Sequence, residues 1–109
     1  MSSKLPGLTP AELERLALLS EECAEVIQAV AKIQRHGYES AYPVGGPTNR
    51  ERLEKELGDV RYAIHLMLCR EDIDPIRISE WCEAKAQSVQ EYLHHQRGLK
   101  KVLEKLVQP

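Results

Sequence analysis

The sequence predicts an all-α fold, a helical bundle of three main helices followed by a short C-terminal helix. Apolar residues recur with the 3.6-residue period of an α-helix through three long segments. Two of these segments begin with a capping box, and the third begins with an Asp-Pro pair. No useful length of chain alternates polar and apolar residues with period two, as a half-buried strand would. We therefore expect no β-sheet and a single domain over residues 1–109.

The first helix is predicted to begin after Thr9, which suits an N-cap residue. Pro10 follows at the first helical position, and Glu12 completes the capping box. The helical period continues to about His36, and Gly37 supplies a stop. One broad apolar face of this helix is expected to pack in the core; its members are Leu13, Leu16, Cys23, Ala24, Ile27 and Val30.

A loop and a second helix follow. Residues 37–48 contain three glycines, two prolines and two tyrosines, a composition typical of a structured loop. Thr48 and Glu51 repeat the capping box, and the apolar period then predicts a helix to about Arg70. The first two helices are expected to form an antiparallel hairpin.

The third helix is predicted to begin at Asp74-Pro75 and to continue to about Gln96, before Gly98. A short amphipathic helix is expected over residues 99–108. Trp81 has helical spacing to neighbouring apolar residues and is expected in the core. The cysteines are odd in number and each lies in a helical pattern, which predicts reduced core thiols: Cys23, Cys69 and Cys82.

Composition excludes several functional classes. The formal net charge is −2, so the overall balance gives no attraction to nucleic acid. The basic stretch at residues 94–101 is short and lacks interleaved aromatic residues, so nucleic acid is not an expected partner. No 18-residue apolar run and no long apolar N-terminal segment occur, which argues against membrane insertion and export. We expect a cytoplasmic protein.

Two acidic pairs are the strongest functional signal. Glu22 and Glu25 lie in the first helical segment, and Glu56 and Asp59 lie in the second. Each pair has i, i+3 spacing, which puts both carboxylates on one helix face beside the apolar seam. All-oxygen ligation suits Mg²⁺, or alternatively Mn²⁺, better than zinc. Acidic pairs are also ordinary on solvated helices of a chain that is 29% charged, so the spacing alone leaves both explanations open.

The residues around these pairs resemble a known family. EECAEV at 21–26 and EKELGDV at 54–60 are similar to the EExxE and ExxD motifs of the MazG-like all-α nucleoside triphosphate pyrophosphohydrolases. The resemblance implies hydrolysis of a nucleoside or deoxynucleoside triphosphate to the monophosphate and pyrophosphate. It also implies four magnesium ligands, which are Glu22, Glu25, Glu56 and Asp59.

The resemblance extends to phosphate contacts. The family's basic residue one turn before the ExxD glutamate is matched by Arg52, and its third-helix lysine is matched by Lys85. The chain differs from the pattern of many members at Val89 and from that of some members at Ala63. Base and sugar specificity are therefore not implied by the resemblance.

Further candidates surround the four carboxylates, which would act as the catalytic centre. Glu21 could accept the proton of the attacking water. Lys32 follows Glu25 by seven residues on about the same helical stripe and could reach a phosphate. Tyr38 and Tyr42, in the loop, could stack on the base.

The wide apolar faces predict self-association, as a homodimer or homotetramer whose helices complete a four-helix bundle. The competing hypothesis is a non-catalytic helical dimerisation or adaptor module, with a solvated acidic face or residual metal binding. Thermal stability with and without Mg²⁺ or Mn²⁺ discriminates between them, because only a binding cluster gains stability by mass action.

Overall fold

The structure, a computed structural model, describes residues 7–106 and is helical throughout that range, apart from its connecting segments. The helices are α1 (Pro10–His36), α2 (Asn49–Cys69), α3 (Pro75–Ser88) with a 3₁₀ turn at Val89–Glu91, and α4 (Leu99–Leu106). Within these residues the only β-type pairing is a single bridge between Ala41 and Thr48. The predicted all-α class is confirmed. The end of the predicted helix at 99–108 and the start of the N-terminal segment lie outside the described residues.

Capping boxes set the starts of α1 and α2, as predicted. The Glu12 backbone N–H donates to Thr9 Oγ1 at 3.1 Å, and the Thr9 N–H donates to Glu12 Oε1 at 2.8 Å. Thr48 and Glu51 repeat the arrangement at 3.1 and 2.9 Å. These bonds satisfy backbone donors that have no partner inside the helix. Gly37 ends α1 with a φ of 84°, in the left-handed region where glycine has little steric cost.

Helices α1 and α2 form an antiparallel hairpin. Arg15, early in α1, pairs with Asp72, which lies just beyond α2. At the other end Asn49 Nδ2 donates to the Gly37 carbonyl at 3.1 Å. Among the described residues three apolar side chains are buried, and all belong to these two helices: Ala29, Ala63 and Met67. Ala63 is only 1% exposed, so its methyl group packs inside the hairpin.

The chain divides into two compact units, the first ending at Asp72 and the second beginning at Ile73. In the second unit, Asp74 caps α3 by accepting a hydrogen bond from the Ile76 N–H at 2.8 Å. Helix α3 ends at Ser88, so the predicted end near Gln96 was wrong. The residues that follow include four of low helix propensity, which are Val89, Tyr92, His94 and His95. That residues 1–109 form one domain stays a prediction.

Several apolar side chains expected in the core are exposed on the single chain. Trp81 is 75% exposed, and all three cysteines are exposed, so their predicted burial was wrong, although the cysteines are free thiols as expected. The predicted apolar face of α1 is also open, with Ile27 at 69%. For α1 and α2 the reason is geometric, since each helix of a two-helix hairpin covers only one side of the other. None of the helices described between residues 7 and 106 has the length and apolar character needed to cross a membrane.

Candidate functional site

The hairpin brings both acidic pairs to one place. Glu22 and Glu25 project from α1, and Glu56 and Asp59 project from α2. One carboxylate oxygen from each of the four lies within 4.8 Å of the others. The i, i+3 spacing aligns each pair on its helix, and the antiparallel packing sets the pairs side by side. We call these four residues the carboxylate cluster; their catalytic and metal-binding roles stay predictions.

The carboxylate cluster is short of positive charge. Glu22 Oε2 and Glu56 Oε2 are buried and have no hydrogen-bond partner among the described residues. A hydrogen bond with the Glu25 carboxyl is the main cause that raises the pKa of Glu56, followed by burial. Buried carboxylate oxygens are costly unless a donor or a cation satisfies them. Four convergent oxygen donors with two unsatisfied atoms fit a hard divalent cation.

Lys55 contacts the carboxylate cluster directly, which the sequence-based prediction missed. Its Nζ donates to Asp59 Oδ2 at 2.7 Å and lies 3.7 Å from Glu56 Oε1. The hydrogen bond to Asp59 is the largest of the effects that raise the pKa of Lys55. The signal was present in the sequence, because Lys55 and Asp59 have the i, i+4 spacing of ion pairs on a helix.

A cleft of about 490 Å³ adjoins the carboxylate cluster. Its walls combine acidic and basic side chains, and they include Glu25, Glu56, Lys32, Arg52 and Lys55. A cleft with both charges can accept a cation at one side and an anionic group at the other. Lys32 and Arg52, both predicted as phosphate contacts, therefore lie in the same cleft as two of the four carboxylates.

A second cleft, of about 250 Å³, continues from the first. The two share Lys32, Asn49 and Arg52 as lining residues, and the second adds Arg35, His36, Ser40 and Tyr42. Arg35 was not among the predicted residues, although it lies one turn beyond Lys32 on α1. We call Lys32, Arg35, Arg52 and Lys55 the basic strip; each of these side chains lines at least one of the two clefts.

The loop tyrosines differ in their surroundings. The Tyr42 side chain is 87% exposed, and its carbonyl accepts a hydrogen bond from Arg52 Nη2 at 2.9 Å. The Tyr38 ring already makes a cation–π contact, since the guanidinium carbon of Arg50 lies 4.3 Å from the ring centroid. Tyr42 is therefore the freer of the two to stack on a base.

Two other predicted residues lie outside the clefts described. Glu21 is exposed on α1, next to Glu22. Lys85 belongs to the second compact unit, where its Nζ lies 5.7 Å from the ring centroid of Tyr92. The proposed roles of Glu21 as proton acceptor and Lys85 as phosphate contact stay predictions.

Fold and site together define a class of all-helical proteins in which an antiparallel helix pair presents four clustered carboxylates beside a basic cleft. The family model of the MazG nucleotide pyrophosphohydrolase domain matches residues 11–87, which include all of α2 and most of α1 and α3. The chain belongs to this family. No curated protein and no solved structure matches it significantly.

Proposed function

We propose that this chain hydrolyses a nucleoside or deoxynucleoside triphosphate to the monophosphate and pyrophosphate, in a reaction that depends on Mg²⁺ or, as a substitute, Mn²⁺. One observation carries the proposal. The carboxylate cluster holds two buried oxygen atoms that have no hydrogen-bond partner among residues 7–106, and it borders a cleft whose lining also includes Lys32, Arg52 and Lys55. A metal complex of a polyphosphate carries the complementary charges, cationic at the metal and anionic along the phosphates.

The donor atoms favour magnesium or manganese over softer metals. All four candidate ligands are carboxylates, Glu22, Glu25, Glu56 and Asp59, and no histidine or cysteine belongs to the group. Bound Mg²⁺ would supply Lewis acidity toward the phosphate oxygens and the attacking water. The carboxylates would hold the ion in the cleft.

The basic strip would bind the phosphate chain. Lys32 and Arg52 line both clefts, so they would contact phosphates close to the carboxylate cluster. Arg35 and His36 line only the second cleft, where the leaving pyrophosphate would collect. A guanidinium group can donate two parallel hydrogen bonds to phosphate oxygens, which favours a fixed orientation of the phosphate chain. Lys85 is a further proposed phosphate contact.

The chemical step is attack of water on the α-phosphorus, at the anhydride that joins the α- and β-phosphates. The water oxygen bonds to phosphorus, the bridging bond breaks, and pyrophosphate leaves with the electron pair. Glu21, exposed beside Glu22, is proposed to take the proton from the water. Tyr42, with Tyr38 as the second candidate, would stack on the base.

We also propose that the protein works as a homodimer or homotetramer. The apolar face of α1 is open on the single chain, with Leu13 and Leu16 each 42% exposed and Ile27 69% exposed. Exposed apolar area of this kind is ordinarily covered in a stable protein, and a second copy of the same face would cover it.

The test is pyrophosphate release from a panel of ribo- and deoxyribonucleoside triphosphates with Mg²⁺. Glu56→Ala and Asp59→Ala should lower turnover by roughly a hundredfold or more while leaving helical circular dichroism intact. Glu54→Ala is the matched control, since it removes an exposed carboxylate from the same helix outside the cluster. Retained turnover in the Glu56 and Asp59 variants would reject the site. No release from any nucleotide would favour the adaptor hypothesis.

A further inference from the structure

Lys55 joins two parts of the site that carry opposite charge. Its ammonium lies 2.7 Å from Asp59 Oδ2 and 3.7 Å from Glu56 Oε1. Both acceptors belong to the carboxylate cluster. The same side chain lines the 490 Å³ cleft with Lys32 and Arg52, and it is 67% exposed. Lys55 is therefore able to leave the carboxylates without leaving the cleft, because its four-carbon stem is flexible and open to solvent.

The contacts of Lys55 overlap with those of a divalent cation. Four carboxylates held this close repel one another, and a nearby positive charge offsets the repulsion. An ammonium on Asp59 and Glu56 supplies part of that charge and occupies oxygen lone pairs. A metal ion that takes the same oxygens must displace the ammonium or bind beside a like charge. Either outcome weakens metal binding in the absence of substrate.

We propose that Lys55 is an internal counter-cation of the carboxylate cluster, which yields to the metal ion and then contributes its charge to the phosphates in the cleft. The inference rests on the proposed function. It assigns Lys55 two successive partners: carboxylates before metal binding, and phosphate afterwards. An ordinary surface ion pair with i, i+4 spacing would stabilise α2 and do nothing else.

The first test measures Mn²⁺ binding to the free protein, without nucleotide, by titration calorimetry and by electron paramagnetic resonance of unbound Mn²⁺. Lys55→Met should bind Mn²⁺ about three- to tenfold more tightly than the wild type, because a competing charge is gone. Lys55→Arg, which keeps the charge, should stay closer to the wild type. Arg61→Met is the control, since it removes one charge from the same helix on a different face and should change affinity less than about twofold.

The second test uses Mg²⁺ at saturation and the best nucleotide from the panel. Lys55→Met should raise KM about threefold or more, while kcat changes less, because a phosphate contact is lost. Tighter metal binding combined with weaker substrate binding is a signature that a purely structural role would not produce.

The outcomes separate the two proposals. If the wild type binds Mn²⁺ and Lys55→Met binds it equally or more weakly, the counter-cation role is overturned and the metal site stands. If the wild type binds no Mn²⁺ at millimolar concentration, both proposals fail. Because Lys55 is exposed, helical circular dichroism of the variant should match the wild type; Lys55→Gln is the second variant to use if it does not.

Discussion

The guanidinium of Arg15 donates two hydrogen bonds to the carboxylate of Asp72, from Nε to Oδ2 at 2.6 Å and from Nη2 to Oδ1 at 2.9 Å. The two side chains are 15% and 13% exposed, so water screens the pair less than it would on an open surface. The pair closes one end of the α1–α2 hairpin, and the loop at 37–48 closes the other. The carboxylate cluster lies between these two closures, so the register of the helices that form it depends on both.

We expect Arg15→Met and Asp72→Asn each to lower the free energy of unfolding. Each substitution leaves the other charged group partly buried without its partner, which costs more than the pair itself contributes. The double variant should therefore lose less stability than the sum of the two single losses. Urea denaturation of all four proteins measures this coupling. Strictly additive losses would show that the two side chains do not depend on each other.

The same pair predicts a loss of stability in acid. The hydrogen bonds from Arg15 lower the pKa of Asp72 below its ordinary value of 3.8. The unfolded chain takes up this proton at the ordinary pKa, whereas the folded protein resists protonation until a lower pH. The stability from Asp72 is therefore present above pH 3.8 and is lost as pH falls through the folded pKa. Thermal melts of the wild type should show this decline, and Asp72→Asn should show less of it.

Local signals in the sequence were sufficient for the hairpin. Thr9 and Thr48 begin capping boxes, and Gly37 ends α1, so the starts of both helices and the end of α1 follow from residues at those boundaries. The convergence of the acidic pairs then follows from antiparallel packing. The Arg15–Asp72 pair was not predictable, because its members are 57 residues apart and periodicity does not select which polar side chains meet.

Burial was predicted less well than helix position. A 3.6-residue period identifies an apolar face but not what covers it, so Trp81 and Ile27 were expected inside and are exposed on the single chain. The predicted end of α3 was wrong for a related reason. Apolar spacing continues past Ser88 through Val89 and Leu93, but several residues after Ser88 have low helix propensity, so the spacing alone did not locate the end of α3.

The raised pKa of Glu56 predicts that a proton and a metal ion compete for its carboxylate. The hydrogen bond with Glu25, together with burial, raises the pKa of Glu56 in the folded metal-free protein. The folded state thus holds this proton to a higher pH than the unfolded chain, and the associated stability is lost as pH rises through the raised pKa. Metal must displace the same proton, so Mn²⁺ affinity should increase with pH over that interval. Isothermal titrations at several pH values measure the trend.

Glu56→Gln is the variant that isolates this group. It keeps the shape of the side chain and removes its charge, so the metal-free protein should be at least as stable as the wild type at neutral pH. At a metal concentration a hundred times the dissociation constant, the wild type should gain about 2.7 kcal/mol, and Glu56→Gln should gain little. Glu54→Gln, outside the cluster, should gain as much as the wild type. An equal metal-induced shift in Glu56→Gln would contradict the assignment of Glu56 as a ligand.

Arg35 should contribute to phosphate recognition. It lines the second cleft with Arg52 but belongs to neither family motif. Arg35→Met should raise KM for the triphosphate about five- to tenfold and weaken inhibition by pyrophosphate by a similar factor, since both ligands would lose one charged contact. Steady-state kinetics with added pyrophosphate measures both effects. An unchanged inhibition constant would place the pyrophosphate elsewhere.

The open apolar face of α1 predicts that self-association depends on Ile27. An aspartate at this position would put an unpaired charge into the interface between two copies, and we expect Ile27→Asp to cost about 2 kcal/mol or more of association free energy, roughly thirtyfold in the dissociation constant. Sedimentation equilibrium over a range of protein concentrations measures this.

Ile76→Asp is the control, because Ile76 is equally exposed, 70% against 69%, but lies in the first turn of α3, where an acidic residue suits the helix dipole. A wild type that remains monomeric at every concentration, or an Ile27→Asp variant that associates as the wild type does, would show that another partner or another face covers these side chains.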